Sequence, residues 1–357
     1  MAGLPPNTKG RGARSNASGR YEPEQRAAFD DGWTADDEPK PLRTILSPEV
    51  ARRILSYNDS PDIGFDRSIN SYRGCEHGCT YCYARPAHAY MGLSPGLDFE
   101  SKIFFKPQSA ERLEAELSAK GYRPKNIQIG GNTDPYQPAE RELKLTRGVL
   151  EVLQRFRHPF SIITKSALIE RDADILGEMG RAGLAKAAVS ITTLDRRLAR
   201  SMEPRAATPE KRLKAVRTLS DAGCSTVVMF APVIPGLNDH ELEAVLQRAA
   251  EAGAYGAGYV LLRLPLEIKQ LFREWLETDH PGRAKRVISL IRQMRDGQDY
   301  DPEWGVRQKG VGPLADLIAT RFHAAAARYG LNLERRPNDV TQFRVPLDRG
   351  GQMSLFG

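Results

Sequence analysis

Three cysteines in one stretch constrain this chain more than any other feature. They lie in Ser71-Tyr72-Arg73-Gly74-Cys75-Glu76-His77-Gly78-Cys79-Thr80-Tyr81-Cys82-Tyr83-Ala84-Arg85, spaced C-x3-C-x2-C. Thiolates are soft ligands that suit iron–sulfur clusters or zinc. A cubane cluster has four irons, so three cysteines leave one iron without a protein ligand. An open iron can take a substrate or cofactor directly. Ferredoxin-type clusters instead fill every corner with cysteine and serve electron transfer. Zinc is the competing reading. His77 and His88 are near enough in sequence to supply a fourth ligand, and Cys79 and Cys82 form a zinc-like pair. Structural zinc sites usually take two well-separated ligand pairs, and no second pair follows here. On the zinc reading the chain would be a zinc-stabilised nucleic-acid-binding module.

With its aromatic residue before the last cysteine, the motif resembles the signature of the radical S-adenosylmethionine (SAM) enzymes. The context Asn70-Ser71-Tyr72-Arg73-Gly74-Cys75 and Cys82-Tyr83-Ala84 is most similar to the spore photoproduct lyase-like branch. The resemblance implies that Cys75, Cys79 and Cys82 hold a [4Fe–4S] cluster, with SAM chelating the open iron. One electron then cleaves SAM to a 5′-deoxyadenosyl radical. The electron would come from a donor such as flavodoxin or ferredoxin.

The 357 residues suffice for one large domain with tails or for two domains, and a hydrophobic content of 40% supports a real core. Net charge is +7, which permits contact with nucleic acid. Together with the photoproduct lyase-like context it points to DNA, damaged DNA in particular. RNA, a peptide or a small molecule stay open as substrates. Arg and Lys are spread along the chain, so a solvated surface explains the charge about as well as a binding face. No apolar run reaches membrane-spanning length and no signal-peptide core opens the chain, so no membrane partner is expected. Four cysteines, three of them clustered, do not read as a disulfide framework, and we expect a cytoplasmic, reducing compartment.

Residues 1–41 are rich in Gly, Pro, Arg, Ser and Asp and poor in aliphatics, which predicts a disordered extension. Residues 42–67 form a lead-in, in which Ser47-Pro48-Glu49 opens a predicted short helix. From 68 to 280 the chain alternates short apolar strands with helical patterns. Strands are expected at 68–72, 126–129, 160–164, 187–192, 226–230 and 259–263, with a short extra strand at 102–105. Such alternation implies an α/β fold with a parallel sheet covered by helices. Counting the cysteine-bearing strand gives six βα units, in agreement with the partial (β/α)6 barrel that the resemblance implies. Residues 281–345 form a helical addition expected at the barrel mouth, with helices near 282–294 and 314–329.

Chemistry in such folds sits where strands end. After the second strand comes Gly130-Gly131-Asn132-Thr133-Asp134-Pro135-Tyr136, where glycines let backbone approach a ligand. It resembles the family segment that meets the SAM amino group, which makes Gly130, Gly131 and Thr133 cofactor-binding candidates. Lys165 follows the third strand and matches a family lysine that holds the SAM carboxylate. Ser190 and Thr192 share one face of the fourth strand, and the resemblance selects Ser190. Arg205, in Met202-Glu203-Pro204-Arg205, is a candidate carboxylate clamp. Pro232-Val233-Ile234-Pro235-Gly236-Leu237-Asn238-Asp239 resembles the family segment under adenine, which nominates Ile234 and Gly236. Leu261 and Leu262 on the sixth strand read as core or adenine-facing.

Photoproduct lyases carry a hydrogen-donating cysteine in the loop after the second strand, and residues 130–136 contain none. Cys224 precedes the fifth strand, so it belongs at the opposite end of the barrel as a buried inert thiol. Tyr83 and Tyr136 are candidate radical relays. Finally, residues 346–357 end in Gln352-Met353-Ser354-Leu355-Phe356. This resembles the Q-x-S-L-F peptide by which bacterial DNA polymerases and repair proteins engage the sliding clamp. Leu355 and Phe356 would anchor in an apolar pocket, with Gln352 at its rim.

Overall fold

The computed structural model describes residues 10–24 and 41–346. The ten strands among these described residues are β1 (Ile45–Pro48), β2 (Leu55–Tyr57), β3 (Arg67–Ile69), β4 (Tyr72–Arg73), β5 (Lys102–Phe105), β6 (Ile127–Ile129), β7 (Phe160–Thr164), β8 (Ala185–Ser190), β9 (Ser225–Val233) and β10 (Gly256–Leu261). Between and after them come α1 (Leu97–Ser101), α2 (Ser109–Leu117), α3 (Glu140–Leu143), α4 (Leu145–Arg155), α5 (Ala173–Arg181), α6 (Arg196–Met202), α7 (Pro209–Asp221) and α8 (Leu242–Glu251). Three more, α9 (Ile268–Asp279), α10 (Pro281–Gln293) and α11 (Pro313–Arg328), follow the last strand.

The main sheet has the order β10-β9-β8-β7-β6-β3-β2. Six of its strands pair in parallel, and β2 closes the edge antiparallel to β3. This is the α/β architecture expected, with one edge strand more. The parallel strands are short and mostly apolar because helices cover them. On β7 Phe160, Ile162 and Thr164 point into buried space and their neighbours do not. The covering helices bury matching stripes. On α4 these are Thr146, Val149, Leu150, Val152 and Leu153, spaced three and four apart. One continuous apolar core runs between sheet and helices.

Three expectations change. Residues 47–49 do not open a helix, because Ile45–Pro48 is strand β1, paired in parallel with β5. The first barrel strand stops at Ile69, and Tyr72–Arg73 turns away to pair antiparallel with β5. The cysteine loop therefore starts from a second, three-stranded sheet of order β1-β5-β4, to which the chain returns at β5. Residues 10–24, placed in a disordered extension from composition, are packed into the molecule. Ala13 is buried, the Arg11 side chain is 5% exposed, and the backbone amides of Gly12 and Ala13 donate to the Glu100 carboxylate at 2.9 and 2.7 Å. Composition undervalued this segment because it is held by backbone hydrogen bonds and an arginine rather than by aliphatic burial.

Among the described residues, no helix is long and apolar enough to cross a membrane.

Candidate metal centre

The cysteine loop is fixed from every side. Positive φ at Gly74 (+79°) and Gly78 (+68°) lets the backbone curl between cysteines, a conformation that costs a glycine little. The Cys75 amide donates to the Phe99 carbonyl at 3.0 Å, and Glu76 N to the Gln137 side chain at 3.0 Å. Residues 202–205 grip the far side: Thr80 N donates to Met202 O at 3.0 Å, and Arg205 N to His77 O at 3.3 Å. Arg85 is fully buried and gathers the carbonyls of Cys79, Pro95 and Gly96 with the Glu100 carboxylate, the last at 2.5 Å. Glu100 is the same residue that accepts from Gly12 and Ala13, so the 10–24 segment, α1 and the loop share one buried anion.

All three cysteines are free thiols, Cys75 and Cys79 buried and Cys82 half-buried. Burial pushes the Cys79 thiol up to about 12 and raises Cys75 as well, with the neighbouring cysteine sulfurs adding to the rise at Cys75. Such thiols stay protonated until a metal takes the proton's place. Thr80, between two of the cysteines, has a buried hydroxyl with no hydrogen-bond partner among the described residues, a donor left over for whatever the loop holds. Among the described residues no three His, Cys, Asp or Glu side chains converge on a single-ion site. The nearby histidines are engaged elsewhere. His77 Nδ1 lies 3.2 Å from Asp134, and His88 Nε2 lies 3.0 Å from the Lys102 carbonyl.

Several of the residues nominated from sequence meet at this loop. Gly130 has φ +87° and its amide donates to Ile69 O at 3.3 Å. A side chain there would run into the Ile163 carbonyl at 2.7 Å. The hydroxyl of Tyr83 donates to the Gly131 carbonyl, and the Arg263 guanidinium lies 5.1 Å above the Tyr83 ring. Thr133 Oγ1 donates to the Tyr72 carbonyl at 3.2 Å. Asp134 binds the glycine-rich loop to the next strand end, accepting from Thr164 Oγ1 at 2.6 Å and Lys165 N at 2.7 Å. Burial works against the Asp134 charge, but His77, Thr164 and Lys165 outweigh it and hold the carboxyl at about 2.

Lys165 Nζ lies 5.8 Å from the centre of the Tyr81 ring. Burial alone lowers the Lys165 ammonium, but negative charge on Cys79 in its thiolate form and on the Glu203 carboxylate outweighs it and raises the group. Ser190 is buried at the end of β8, and its carbonyl accepts from Arg212 at 3.0 Å. Ile234 is buried in the apolar cluster that contains Cys79 and Tyr81.

Three nominated residues are placed otherwise. Tyr136 is fully buried in the sheet–helix core and its hydroxyl donates to Asp172 at 3.0 Å. Gly236 faces α10, where a Cβ would meet Leu290 at 3.0 Å. The Arg205 guanidinium pairs with Glu76 of the cysteine loop at 3.2 Å, so its carboxylate partner here is internal. Cys224 is buried before β9, as expected.

The residue that sequence reasoning passed over is Glu203. Its carboxylate is buried and accepts from the Tyr81 hydroxyl, from Arg212 and from Thr192 Oγ1, the last at 3.0 Å. A Glu before a Pro in a stretch of arginines carries no distinctive signal. Its importance comes only from what folding places beside it.

The Radical SAM superfamily matches residues 69–249, which spans the cysteine loop and the sheet through β9. The chain belongs to this superfamily. Its members use a [4Fe–4S] cluster and SAM. It is 36% identical over 275 residues to "Uncharacterized protein Rv2578c" of Mycobacterium tuberculosis, covering 76% of this chain and 77% of that one. "Uncharacterized protein MJ0683" of Methanocaldococcus jannaschii is 29% identical over 213 residues, covering 60% and 76%. Among solved structures, spore photoproduct lyase complexed with dinucleoside spore photoproduct superposes with TM-score 0.54 at 17% identity, covering 80% of this chain and 78% of that one. A point mutant of the same lyase gives TM-score 0.56 at 16% identity, with 80% of each chain covered. At these identities the lyases share the fold.

Proposed function

We propose that Cys75, Cys79 and Cys82 hold a [4Fe–4S] cluster whose open iron binds SAM, and that the protein is a radical SAM enzyme acting on nucleic acid, damaged DNA first. One observation carries the reading: three free cysteines share a rigid loop that the ends of β6 and β7 approach. When bound, the cluster and SAM supply a one-electron cleavage that yields an organic radical.

The chain's own residues supply the rest. Gly130 and Gly131 bring bare backbone to the site, and Gly131 is open enough for a ligand, the nearest atom to a Cβ there being 3.8 Å away. Lys165 keeps its charge in a half-buried position and is placed to hold a carboxylate. Ser190 adds a hydroxyl at the neighbouring strand end. Ile234, Leu262 and Met202 form an apolar wall with Tyr81 and exclude water. The Tyr83 phenol is the candidate for a radical relay, a reading supported by its 46% exposure and its hydrogen bond to the glycine-rich loop. The reading of nucleic acid as substrate is supported by the basic charge and by the shared fold with a lyase solved with a dinucleoside photoproduct.

Anaerobic reconstitution with iron and sulfide tests the reading. About four irons per chain and 5′-deoxyadenosine on reduction with SAM are expected. Replacing all three cysteines with Ala should abolish both, and cleavage that survived without them would end the proposal. DNA binding should fall steeply with salt. If neither duplex nor single-stranded DNA binds at low salt or stimulates SAM turnover, the DNA reading fails and a small-molecule or peptide substrate leads, with RNA still open.

We further propose recruitment to DNA through the sliding clamp. Gln352, Leu355 and Phe356 lie outside the described residues, so this rests on the sequence motif alone.

A further inference from the structure

We infer that an arginine-lined groove beside the cysteine loop is the docking surface for an acidic one-electron carrier protein. The inference rests on the radical SAM reading above, whose chemistry needs one external electron. The groove has a volume of about 640 Å³ and is lined by Arg11, Arg14, Arg196, Arg197 and Arg200, with Asp279 as its one acidic lining residue. Asp279 is already matched by Arg14 at 2.5 Å. Arg11 is spent on the carbonyls of Glu100 and Leu42. Arg196 keeps a long, exposed pair with Glu210 at 3.4 Å. The guanidinium groups of Arg197 and Arg200 are exposed and have no hydrogen-bond or ion-pair partner among the described residues. A net positive groove with two unengaged guanidinium groups matches a surface rich in carboxylates.

The position decides which polyanion fits best. Arg196, Arg197 and Arg200 stand on α6, and the other face of that helix is buried. There Leu198 and Met202 pack in one apolar cluster with Cys79, Tyr81 and Ala13. The helix lies directly against the loop, since the amide of Thr80, next to Cys79, donates to the Met202 carbonyl at 3.0 Å. Arg11 and Arg14, on the 10–24 segment that forms a strap over the loop, complete the wall, and Gly12 between them would touch the Gly78 carbonyl if it carried a Cβ, at 1.7 Å. The groove is thus built onto the back of the loop. None of the strand-end residues that face a substrate, Gly131, Lys165 and Ser190, lines it. A nucleic-acid substrate must reach those strand ends. An electron needs only to reach the cluster at Cys79. In the step itself the carrier would be oxidised by one electron, and the cluster that Cys75, Cys79 and Cys82 would hold would take that electron up. No bond is made or broken.

The test uses the reconstituted full chain, reduced flavodoxin as the acidic carrier and dithionite as a small reductant that needs no docking. Arg197→Glu with Arg200→Glu should slow reduction by flavodoxin about tenfold or more at low salt and weaken flavodoxin binding similarly. The salt dependence of the rate should flatten. Iron content and reduction by dithionite should match the parent. An unchanged flavodoxin rate would overturn the inference. So would a variant that loses affinity for a DNA oligonucleotide while flavodoxin reduces it normally, since the groove would then read phosphodiesters. Failure of dithionite to support SAM cleavage in the parent protein would instead remove the radical SAM reading itself.

Discussion

The Tyr81 hydroxyl, inside the cysteine loop, donates a hydrogen bond to the Glu203 carboxylate 122 residues further along the chain. Arg212 closes the arrangement by pairing with the same carboxylate while donating to the carbonyls of Ser190 and Ala207 at 3.0 and 2.8 Å. Both charges are essentially shielded from solvent. Removing one of a buried pair strands the other, at a cost of about 3–5 kcal/mol. Arg212→Met should therefore lower the unfolding free energy of the cluster-free protein by about that amount in urea titrations. Glu203→Gln with Arg212→Met should recover most of it, because no buried charge is left unpaired. A single variant within about 1 kcal/mol of the parent would show that the pair does not hold the loop.

Gly12 sits where no other residue fits, since a Cβ there would lie 1.7 Å from the backbone oxygen of Gly78. Gly12→Val should lift the 10–24 segment off the loop. Limited proteolysis should then cut within it, and the reconstituted cluster should bleach faster in air. Equal protease resistance and equal bleaching rates would show that the segment does not shield the loop.

Lys165 is expected to hold the SAM carboxylate. Charged hydrogen bonds contribute about 1.5–3 kcal/mol, so Lys165→Met should weaken SAM binding by about ten- to a hundredfold in equilibrium dialysis. Iron content should not change. Unaltered affinity would assign the carboxylate to another residue.

His158 stands just before β7, at the start of that strand. Its Nε2 is 2.8 Å from the Tyr122 hydroxyl and its Nδ1 is 2.9 Å from the Pro159 carbonyl. Burial pushes the imidazole down to about 4 from its usual 6.5. The unfolded chain then binds a proton that the folded one does not, between those two values. Stability from this group is complete above about pH 6.5 and declines as pH falls toward 4. Between pH 7 and 5 the loss should be about 2 kcal/mol. In His158→Gln that part of the pH dependence should flatten, as followed by denaturant midpoints. A parallel curve would place the titration elsewhere.

For the terminal motif, a peptide spanning residues 349–357 should bind purified sliding clamp at micromolar strength. Leu355→Ala with Phe356→Ala should remove the binding, since such anchors carry most of an interface's energy. Unchanged affinity in the double variant would exclude clamp recruitment through this motif.

The cysteine motif that shows the family was legible because it is a local pattern: Cys75, Cys79 and Cys82 lie within eight residues of one another. The strand ends at Gly130, Lys165 and Ser190 were legible because βα alternation states where chemistry collects. Tyr136 misled for the same reason. It follows a strand end in sequence, but the turn at 134–137 carries it into the helical layer, where Asp172 takes its hydroxyl. The 10–24 segment misled because its low aliphatic content hid an anchoring that depends on Glu100, nearly ninety residues away.

What the sequence by itself determined is thus the chemistry and the layering: the thiol spacing, the family and the parallel sheet follow from residues close together in the chain. The tertiary structure alone decided what stands around the thiols. Glu203 and Arg212 beneath Tyr81, the strap across Gly78, and the arginines of α6 behind Cys79 are contacts between distant segments. Hydrophobic periodicity reports which face of an element is buried, and it carries no information about which distant polar group will meet it there. Those partners are set when the sheet closes and brings the segments together.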